Sequence, residues 1–220
     1  MTKNKDYLKF INYEFEQNDD VFKINTDTAV LGMFFDQMKG LSVMDIGTGS
    51  GALLLYAKYH GADKLIGVDI QDEALKLAEK NVSRYSDNYE LIHSDIQKLE
   101  HDKADVVICN PPFFEAGNMR ESDAWNKAMF ETTMPLEDMF KAFRKFVKDN
   151  GQIYTLYPAE RFPELYEMIL KYKLKIMRMR FVHDKKRPYA SRVVLKLKVG
   201  KMTKLKVEKP IMVERGVFEI

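Results

Sequence analysis

The chain has 220 residues, of which 45% are hydrophobic and 31% are charged, with a formal net charge of +2. This length can bury one sizeable core, and the composition excludes a disordered or fibrous protein. No run approaches the roughly 20 apolar residues that a membrane-spanning helix needs.

The first half of the chain alternates apolar runs with amphipathic segments. Four apolar runs predict buried strands, at residues 41–46, 64–69, 91–92 and 104–109. Helices are expected over 52–60, where Gly61 would stop the helix, and from Asp72 onwards. The Asp72 carboxylate is predicted to cap the first turn of its helix.

The second half continues this pattern and then departs from it. Helices are predicted over 136–147 and 162–172, and strands over 152–157, 174–182 and 192–199, which brings the predicted strands to seven. A further short strand could form near 211–213. The alternation indicates an α/β fold with a mostly parallel sheet covered on both faces. About nine residues separate the strands at 174–182 and 192–199, too few for a parallel crossover, so this pair should form an antiparallel edge hairpin. We therefore expect one domain over 1–220 with a seven-stranded sheet.

A glycine-rich turn follows the first predicted strand. Residues 45–51 read Asp-Ile-Gly-Thr-Gly-Ser-Gly, and Asp69 ends the next strand 22 residues after Gly47. Glycines there let the backbone approach a ligand closely, and a carboxylate ending the second strand can accept both hydroxyls of a ribose. Enzymes that bind NAD and enzymes that bind S-adenosylmethionine share this pattern.

Two details favour S-adenosylmethionine over NAD. Gly47, Gly49 and Gly51 recur at every second residue, unlike the glycines of the dinucleotide fingerprint. The acid before them, Asp45, lies where a carboxylate could meet the ammonium group of a methionine moiety. The turn is therefore predicted to hold the methionine end of the cofactor.

Candidate contacts to the adenine end of the cofactor follow the second and third strands. Asp95 could hydrogen-bond the adenine amino group, with Ile70 and Ile96 packing against the ring. A helix cap explains Asp95 equally well, so both interpretations stay open.

The tetrapeptide Asn110-Pro111-Pro112-Phe113 follows the fourth predicted strand, on the other lip of the same crevice. Its two prolines stiffen the loop and remove two amide hydrogens. The Pro111 carbonyl and the Asn110 side-chain oxygen can then converge on one NH₂ group and aim its weakly nucleophilic lone pair at a methyl donor. Phe113 offers a face for a base turned out of its stack. An ordinary turn is the alternative interpretation.

Residues 45–51 and 110–113 together resemble the S-adenosylmethionine-dependent amino-group N-methyltransferases. Further stretches resemble the bacterial tRNA1(Val) (adenine-N6)-methyltransferases, at residues 23–31, 113–114, 135–138, 180–183, 192–195 and 205–213. The resemblance implies a class I, Rossmann-like methyltransferase fold with S-adenosylmethionine as cofactor. It also implies methylation of the adenine N6 amine in tRNA, beside the anticodon of a valine tRNA.

The resemblance also implies roles for residues outside these two motifs. In the family, the segment ahead of the first strand helps to close over the cofactor, which makes residues 1–40 a closing segment with Thr26 and Asp27 as cofactor contacts. Asn110 would contact the cofactor as well as the substrate. One departure lies in residues 128–131, which read Ala-Met-Phe-Glu where relatives tend to carry Ala-Arg-His-Glu.

Charge is divided unevenly along the chain. Residues 171–220 carry a net charge of +12, whereas residues 1–170 carry −10. Such a split suggests that the C-terminal part faces a polyanion, although a solvated strand surface would also explain it. Four basic residues near the turn of the predicted hairpin are the candidate RNA contacts, namely Lys185, Lys186, Arg187 and Arg192.

The cysteine and histidine content and the N-terminal residues bear on disulfides, metal binding and cellular location. The single cysteine, Cys109, and four scattered histidines have no disulfide or metal-ligand spacing, so we expect no metal. Cys109 itself is expected to be an inert core thiol. The N-terminal residues lack the apolar core of a signal peptide, which predicts a cytoplasmic protein and no membrane partner.

Three other functions remain open at this point. The tetrapeptide at 110–113 suits a protein glutamine amide or another RNA base as well as an adenine amine. A non-catalytic RNA-binding module with a vestigial cofactor fold is opposed by the intact Asn110 and glycines. An NAD oxidoreductase would need a hydride-transfer acid or base, and none is visible in the sequence.

Overall fold

The computed structural model describes residues 5–7, 11–18, 21, 24–111, 134–201, 204–214 and 217–219. In the N-terminal half the elements are β1 (Lys5–Tyr7), β2 (Glu14–Glu16), α1 (Thr26–Met33), β3 (Ser42–Ile46), α2 (Ala52–Tyr59), β4 (Lys64–Asp69), α3 (Asp72–Val82), β5 (Tyr89–His93) and β6 (Ala104–Cys109). After residue 133 they are α4 (Leu136–Phe146), β7 (Val147–Pro158), α5 (Phe162–Lys171), β8 (Leu174–Asp184), β9 (Ala190–Val199), β10 (Lys206–Val207), β11 (Ile211–Glu214) and β12 (Val217–Glu219).

A single large sheet organises the chain, in the order β12-β11-β8-β9-β7-β6-β3-β4-β5. The strands β3 to β7 run parallel to one another. Strand β9 runs antiparallel to both of its neighbours, β7 and β8. The predicted α/β fold, with a mostly parallel sheet and an antiparallel hairpin near the C-terminus, is therefore confirmed, but the sheet has ten described strands rather than the predicted seven. The hairpin is not the outermost part of the sheet, because β10 and β11 pair with β8 and β12 pairs with β11.

Both faces of the sheet are buried. Successive side chains of each central strand point to opposite faces, so Val43, Val106 and Ile108 join one core while Met44 and Val107 join the other. The first core contains residues of α1 and α2, and the second contains residues of α4 and α5. None of the helices in the described part of the chain has the length and apolar character needed to traverse a bilayer.

The parallel strands bring their carboxyl ends to one side of the sheet. Because β8 runs antiparallel to β9, which runs antiparallel to β7, the end of β8 also lies on that side. We call this side the top of the sheet, marked by Ile46, Asp69, Cys109, Pro158 and Asp184. Ligands of open α/β sheets bind at such a side.

Two details of the predicted elements were wrong. The N-cap of α3 is Gln71, and Asp72 lies inside the first turn, where its carboxylate pairs with Lys76 Nζ at 2.7 Å. β7 begins at Val147 rather than at Gln152, because the chain joins β6 early and then bulges outward over residues 148–151 before pairing resumes. Asn150 has a positive φ of 63° in that bulge.

Candidate active site

The glycine-rich turn between β3 and α2 is open toward the top of the sheet. Gly47 and Gly49 have φ angles of 72° and 54°, in the left-handed region that favours glycine. A Cβ atom on either would meet no described atom within 4 Å, so no described residue fills the space beside the backbone there. Gly51 differs, since its Cβ would lie 3.0 Å from Val82 Cγ2, so the absence of a side chain at this predicted cofactor residue lets α2 pack closely on α3.

Asp69 joins the glycine-rich turn to the end of β4. Its Oδ2 accepts a hydrogen bond from the Gly49 N–H at 2.8 Å, and its Oδ1 accepts one from the Gln71 N–H at 2.9 Å. Burial raises the pKa of the Asp69 carboxyl, although these backbone donors oppose that effect. Each carboxylate oxygen keeps a second lone pair, so the group can still accept hydroxyl hydrogens from a ligand.

Asp45, at the end of β3, is almost fully buried. Its Oδ2 accepts the Thr48 hydroxyl at 2.9 Å, whereas Oδ1 is buried with no hydrogen-bond partner among the described residues. Burial and, secondarily, the charge of Asp69 raise the pKa of Asp45 to about 7, although the Thr48 hydroxyl opposes them. A buried acceptor without a donor is costly, and an ammonium group is a donor that would remove that cost.

We expect the raised pKa of Asp45 to make the free protein less stable as the pH increases. The folded-state pKa of about 7 lies above the ordinary aspartate pKa of 3.8, so this contribution to stability is fully present below pH 3.8 and is lost as the pH rises from there through about 7. That elevation corresponds to roughly 4 kcal/mol as an upper bound. Asp45→Asn cannot ionise, so its free energy of unfolding should fall less steeply between pH 5 and pH 8.

Urea unfolding of the parent and Asp45→Asn at several pH values measures this difference. The slopes against pH are compared, because the amide also leaves an NH₂ group in the position of Oδ1. Parallel slopes for the two proteins would contradict a raised pKa at Asp45.

Asn110 and Pro111 follow β6 directly, and Pro111 is buried. Ile46 pairs with both Val68 and Cys109, so Gly47, Asp69 and Asn110 follow or end three adjacent strands. The predicted catalytic residues Pro112 and Phe113 lie outside the described residues, as do residues 128–131 with the departure from the family pattern. The structure thus brings the glycine-rich turn, the Asp69 carboxylate and the Asn110 amide to one place on the top of the sheet.

The Asn110 side chain is half-buried against α1. Its Nδ2 donates to Thr28 Oγ1 at 3.4 Å, and Thr28 is 8% exposed. Thr28 was not among the predicted site residues, although its neighbours Thr26 and Asp27 were predicted to contact the cofactor. The only signal was its place in the stretch 23–31, which carries the family resemblance.

Ion pairs connect the sheet to the first turn of α1 and to the residues that follow the helix. Asp27 Oδ2 lies 3.0 Å from Arg192 Nε in β9, and Asp36 pairs with Arg178 and Lys196. The Arg192 side chain is only 14% exposed. The other three predicted RNA contacts, Lys185, Lys186 and Arg187, are exposed in the turn between β8 and β9. Thr26 is half-buried in the first turn of α1.

The predicted adenine contacts occupy different environments. Asp95 caps a turn, since its Oδ1 accepts from the Gln97 N–H at 2.9 Å. Ile96 is 6% exposed and belongs to a hydrophobic core, whereas Ile70 is 47% exposed beside Asp69. Of the two isoleucines, Ile70 therefore offers the larger open surface to a ring.

Asn81 is a fully buried polar residue that sequence reasoning missed. Its Nδ2 donates to the Ser50 carbonyl at 2.9 Å and to the Glu16 carbonyl at 3.1 Å, and its Oδ1 accepts from the Glu16 N–H at 2.8 Å. These bonds join the glycine-rich turn, α3 and the strand β2. Asn81 thereby stabilises the position of the glycine-rich turn relative to α3 and β2.

The sequence predicts that Cys109 is an inert core thiol and that the protein holds no metal. Cys109 is 1% exposed, and burial raises the pKa of its thiol well above the ordinary value, which suits a core residue. Within the described ranges, no group of three or more metal-ligating side chains is present.

Comparisons with known proteins agree with this geometry. The sequence profile of a methyltransferase domain family matches residues 37–206. The tRNA1(Val) (adenine(37)-N6)-methyltransferase of Dyadobacter fermentans is 31% identical over 70% of this chain and 66% of its own length, just under two thirds. The protein of the same name from Flavobacterium psychrophilum is 27% identical over 79% of this chain and 78% of its own.

A solved structure shares the fold. Magnesium protoporphyrin IX methyltransferase from Synechocystis, crystallised with bound S-adenosylmethionine, superposes with a TM-score of 0.55 at 19% identity, over 79% of this chain and 76% of that one. At this identity the likeness shows the fold alone. Because the family profile spans more than half of the sequence, this chain belongs to the methyltransferase domain family and is an enzyme of that class.

Proposed function

We propose that this methyltransferase transfers a methyl group from S-adenosylmethionine to the N6 amine of an adenine in tRNA, beside the anticodon of a valine tRNA. The observation that carries the proposal is the placement of the Asn110 amide next to the glycine-rich turn and Asp69, on three adjacent strand ends. The names of the relatives support the choice of tRNA and of the adenine. From a tRNA substrate we also infer a cytoplasmic enzyme.

The residues present fit S-adenosylmethionine. When bound, it supplies an electrophilic methyl group on a positively charged sulfur, which departs as a neutral thioether. Asp45 would meet the ammonium group with its unpartnered Oδ1, and Asp69 would accept the ribose hydroxyls. Gly47 and Gly49 leave open backbone beside the cofactor, and Ile70 leaves an exposed surface for the adenine ring.

Asn110 and Pro111 act on the acceptor amine. With Nδ2 donating to Thr28, the Asn110 Oδ1 is left to accept one amine hydrogen, and the Pro111 carbonyl accepts the other. Holding both hydrogens favours a pyramidal nitrogen whose lone pair forms the new bond to the methyl carbon as the carbon–sulfur bond breaks, and the nitrogen then releases one proton to water. Catalysis then consists of positioning and charge stabilisation rather than strong base chemistry. Phe113 would stack the flipped base.

The exposed turn between β8 and β9 favours RNA over a protein amide as the substrate. The backbone of this basic turn, residues 185–187, is shaped by Asp184, whose Oδ1 accepts the Lys186 N–H at 2.9 Å and whose carbonyl accepts the Arg187 N–H at 2.9 Å. The turn lies at the top of the sheet, on the same side as Asn110. Its three cations can therefore meet phosphates flanking a base in the site.

The test of the proposal is the destination of the methyl group. Radiolabelled S-adenosylmethionine is offered with the enzyme to total tRNA and, separately, to total protein. Label in tRNA is expected, and label in protein alone would overturn the RNA assignment.

Replacing Lys185, Lys186 and Arg187 together by alanine should weaken tRNA binding at least tenfold and leave cofactor affinity unchanged. Neutralising each phosphate contact should also lower the salt slope by about one. The stability cost should be small, because exposed charges contribute little and the turn is shaped by backbone donors that alanine retains. The measurement is tRNA affinity at several salt concentrations.

A matched control removes three lysines from the opposite end of the same hairpin. Lys175 is the second residue of β8, Lys198 lies near the end of β9 and Lys201 follows that strand, so this triple alanine variant changes net charge equally. About ten residues of strand, roughly 33 Å, separate Lys175 from the basic turn. Equal loss of tRNA affinity in the two variants would mean that overall charge, rather than the basic turn, attracts RNA.

A further inference from the structure

The hydroxyl of Thr28 connects the Asn110 amide to the start of α1. Asn25 is the N-cap of that helix, and its Oδ1 accepts the Thr28 backbone N–H at 3.1 Å. A backbone N–H can only donate, so the Asn25 atom in this position must be the oxygen. The orientation of the Asn25 amide is therefore fixed by the helix backbone itself.

The fixed position of the Asn25 oxygen in turn determines which way the Thr28 hydroxyl donates its hydrogen. Thr28 Oγ1 lies 3.4 Å from Asn25 Oδ1 and 3.4 Å from Asn110 Nδ2. The hydroxyl has one hydrogen, and when the Asn25 oxygen accepts it, only the lone pairs of the hydroxyl are left for Asn110. The Asn110 NH₂ group is therefore the matching partner, and Oδ1 is turned to the other side of the amide.

We propose that Thr28, oriented by Asn25, is a positioning residue that presents the Asn110 Oδ1 to the substrate amine. This inference rests on the proposed function, since it concerns which end of the amide meets an NH₂ group. A flipped Asn110 would set its own NH₂ donors against the donors of the substrate, and no hydrogen bond would form. At 8% exposure of Thr28, little solvent is available to replace its hydroxyl as the partner of Asn110.

Thr28→Val tests the proposal by replacing the hydroxyl with a methyl group of similar size. The kcat for tRNA methylation should fall about tenfold, while cofactor affinity by calorimetry stays near the parent value and the thermal unfolding midpoint falls by only a few degrees, as expected for a lost hydrogen bond. Thr28→Ser retains the hydroxyl and should restore kcat. A parent-like kcat for Thr28→Val, or a serine variant as slow as the valine variant, would overturn the proposal.

Thr155→Val is the matched control. Thr155 is fully buried in β7, and its hydroxyl has no hydrogen-bond partner among the described residues. The same chemical change there should leave kcat at the parent value. A tenfold loss in this control as well would show that burying a valine near the sheet is enough to slow the enzyme, and would remove the support for a role of the Thr28 hydroxyl.

A double-mutant cycle with Asn110→Ala separates this inference from the proposed function. Thr28→Val should slow the Asn110→Ala enzyme no further, and the effects of the two substitutions on unfolding should be less than additive, because they share one hydrogen bond. Additive effects on unfolding would overturn the Thr28 proposal. A parent enzyme that methylates no tRNA would instead overturn the proposed function, and the unfolding cycle would still test the bond.

Discussion

Asn110→Ala is expected to reduce methyl transfer to tRNA by two orders of magnitude or more, roughly 3 kcal/mol in the barrier. The alanine variant loses the acceptor that holds one hydrogen of the amine, so the lone pair is no longer aimed at the methyl group. Cofactor affinity should change little, because Nδ2 donates to Thr28 and the proposed role of Oδ1 is toward the acceptor amine. Single-turnover rates and calorimetry measure the two properties separately.

Asn88→Ala is the control for this substitution. Asn88 is exposed and precedes β5, at the end of the sheet opposite the site, and its recorded backbone bond to Leu65 does not depend on the side chain. Its rate should match the parent. Loss of cofactor binding together with activity in Asn110→Ala would contradict the acceptor role of Asn110.

Asp69→Ala should weaken binding of S-adenosylmethionine by at least about 100-fold and leave tRNA affinity nearly unchanged. The carboxylate would supply two charge-assisted hydrogen bonds to the ribose, and each bond to a charged group contributes roughly 1.5–3 kcal/mol. Its loss also frees the Gly49 N–H from its present acceptor, which loosens the glycine-rich turn. Calorimetric titration with the cofactor gives the affinity.

The other end of the same strand provides the control. Asp63 is exposed just before β4, so Asp63→Ala removes an equal charge far from the top of the sheet. That variant should bind the cofactor like the parent. If Asp69→Ala also bound as tightly as the parent, Asp69 would not be the ribose acceptor.

Local sequence signals predicted the parts of the fold that depend on neighbouring residues. The apolar runs at 64–69 and 104–109 coincide with β4 and β6, because a run buried on both faces reads clearly between glycine and charged residues. The early start of β7 at Val147 was not predictable, since it depends on pairing with Ala104 around a bulge. The pairing of β10 and β11 with β8 is likewise a long-range choice that local pattern does not determine.

The site divides in the same way. Asp45, Asp69 and Asn110 each sit at the end of a strand, so topology alone predicted that they would converge. The bonds of Asn110 to Thr28, Asn81 to Ser50 and Arg192 to Asp27 join residues 82, 31 and 165 positions apart. No periodicity in a single sequence reports such contacts.

The central claim is that the site methylates an adenine amine in tRNA, and nucleoside analysis of the product tests it most directly. Unmodified tRNA is incubated with the enzyme and S-adenosylmethionine, digested to nucleosides and examined by mass spectrometry, with Asn110→Ala in parallel. The parent should produce N6-methyladenosine, and the variant should produce at least 100-fold less at early times. A methyl group on any other nucleoside, or tRNA left unmethylated while a protein acceptor is labelled, would contradict the claim.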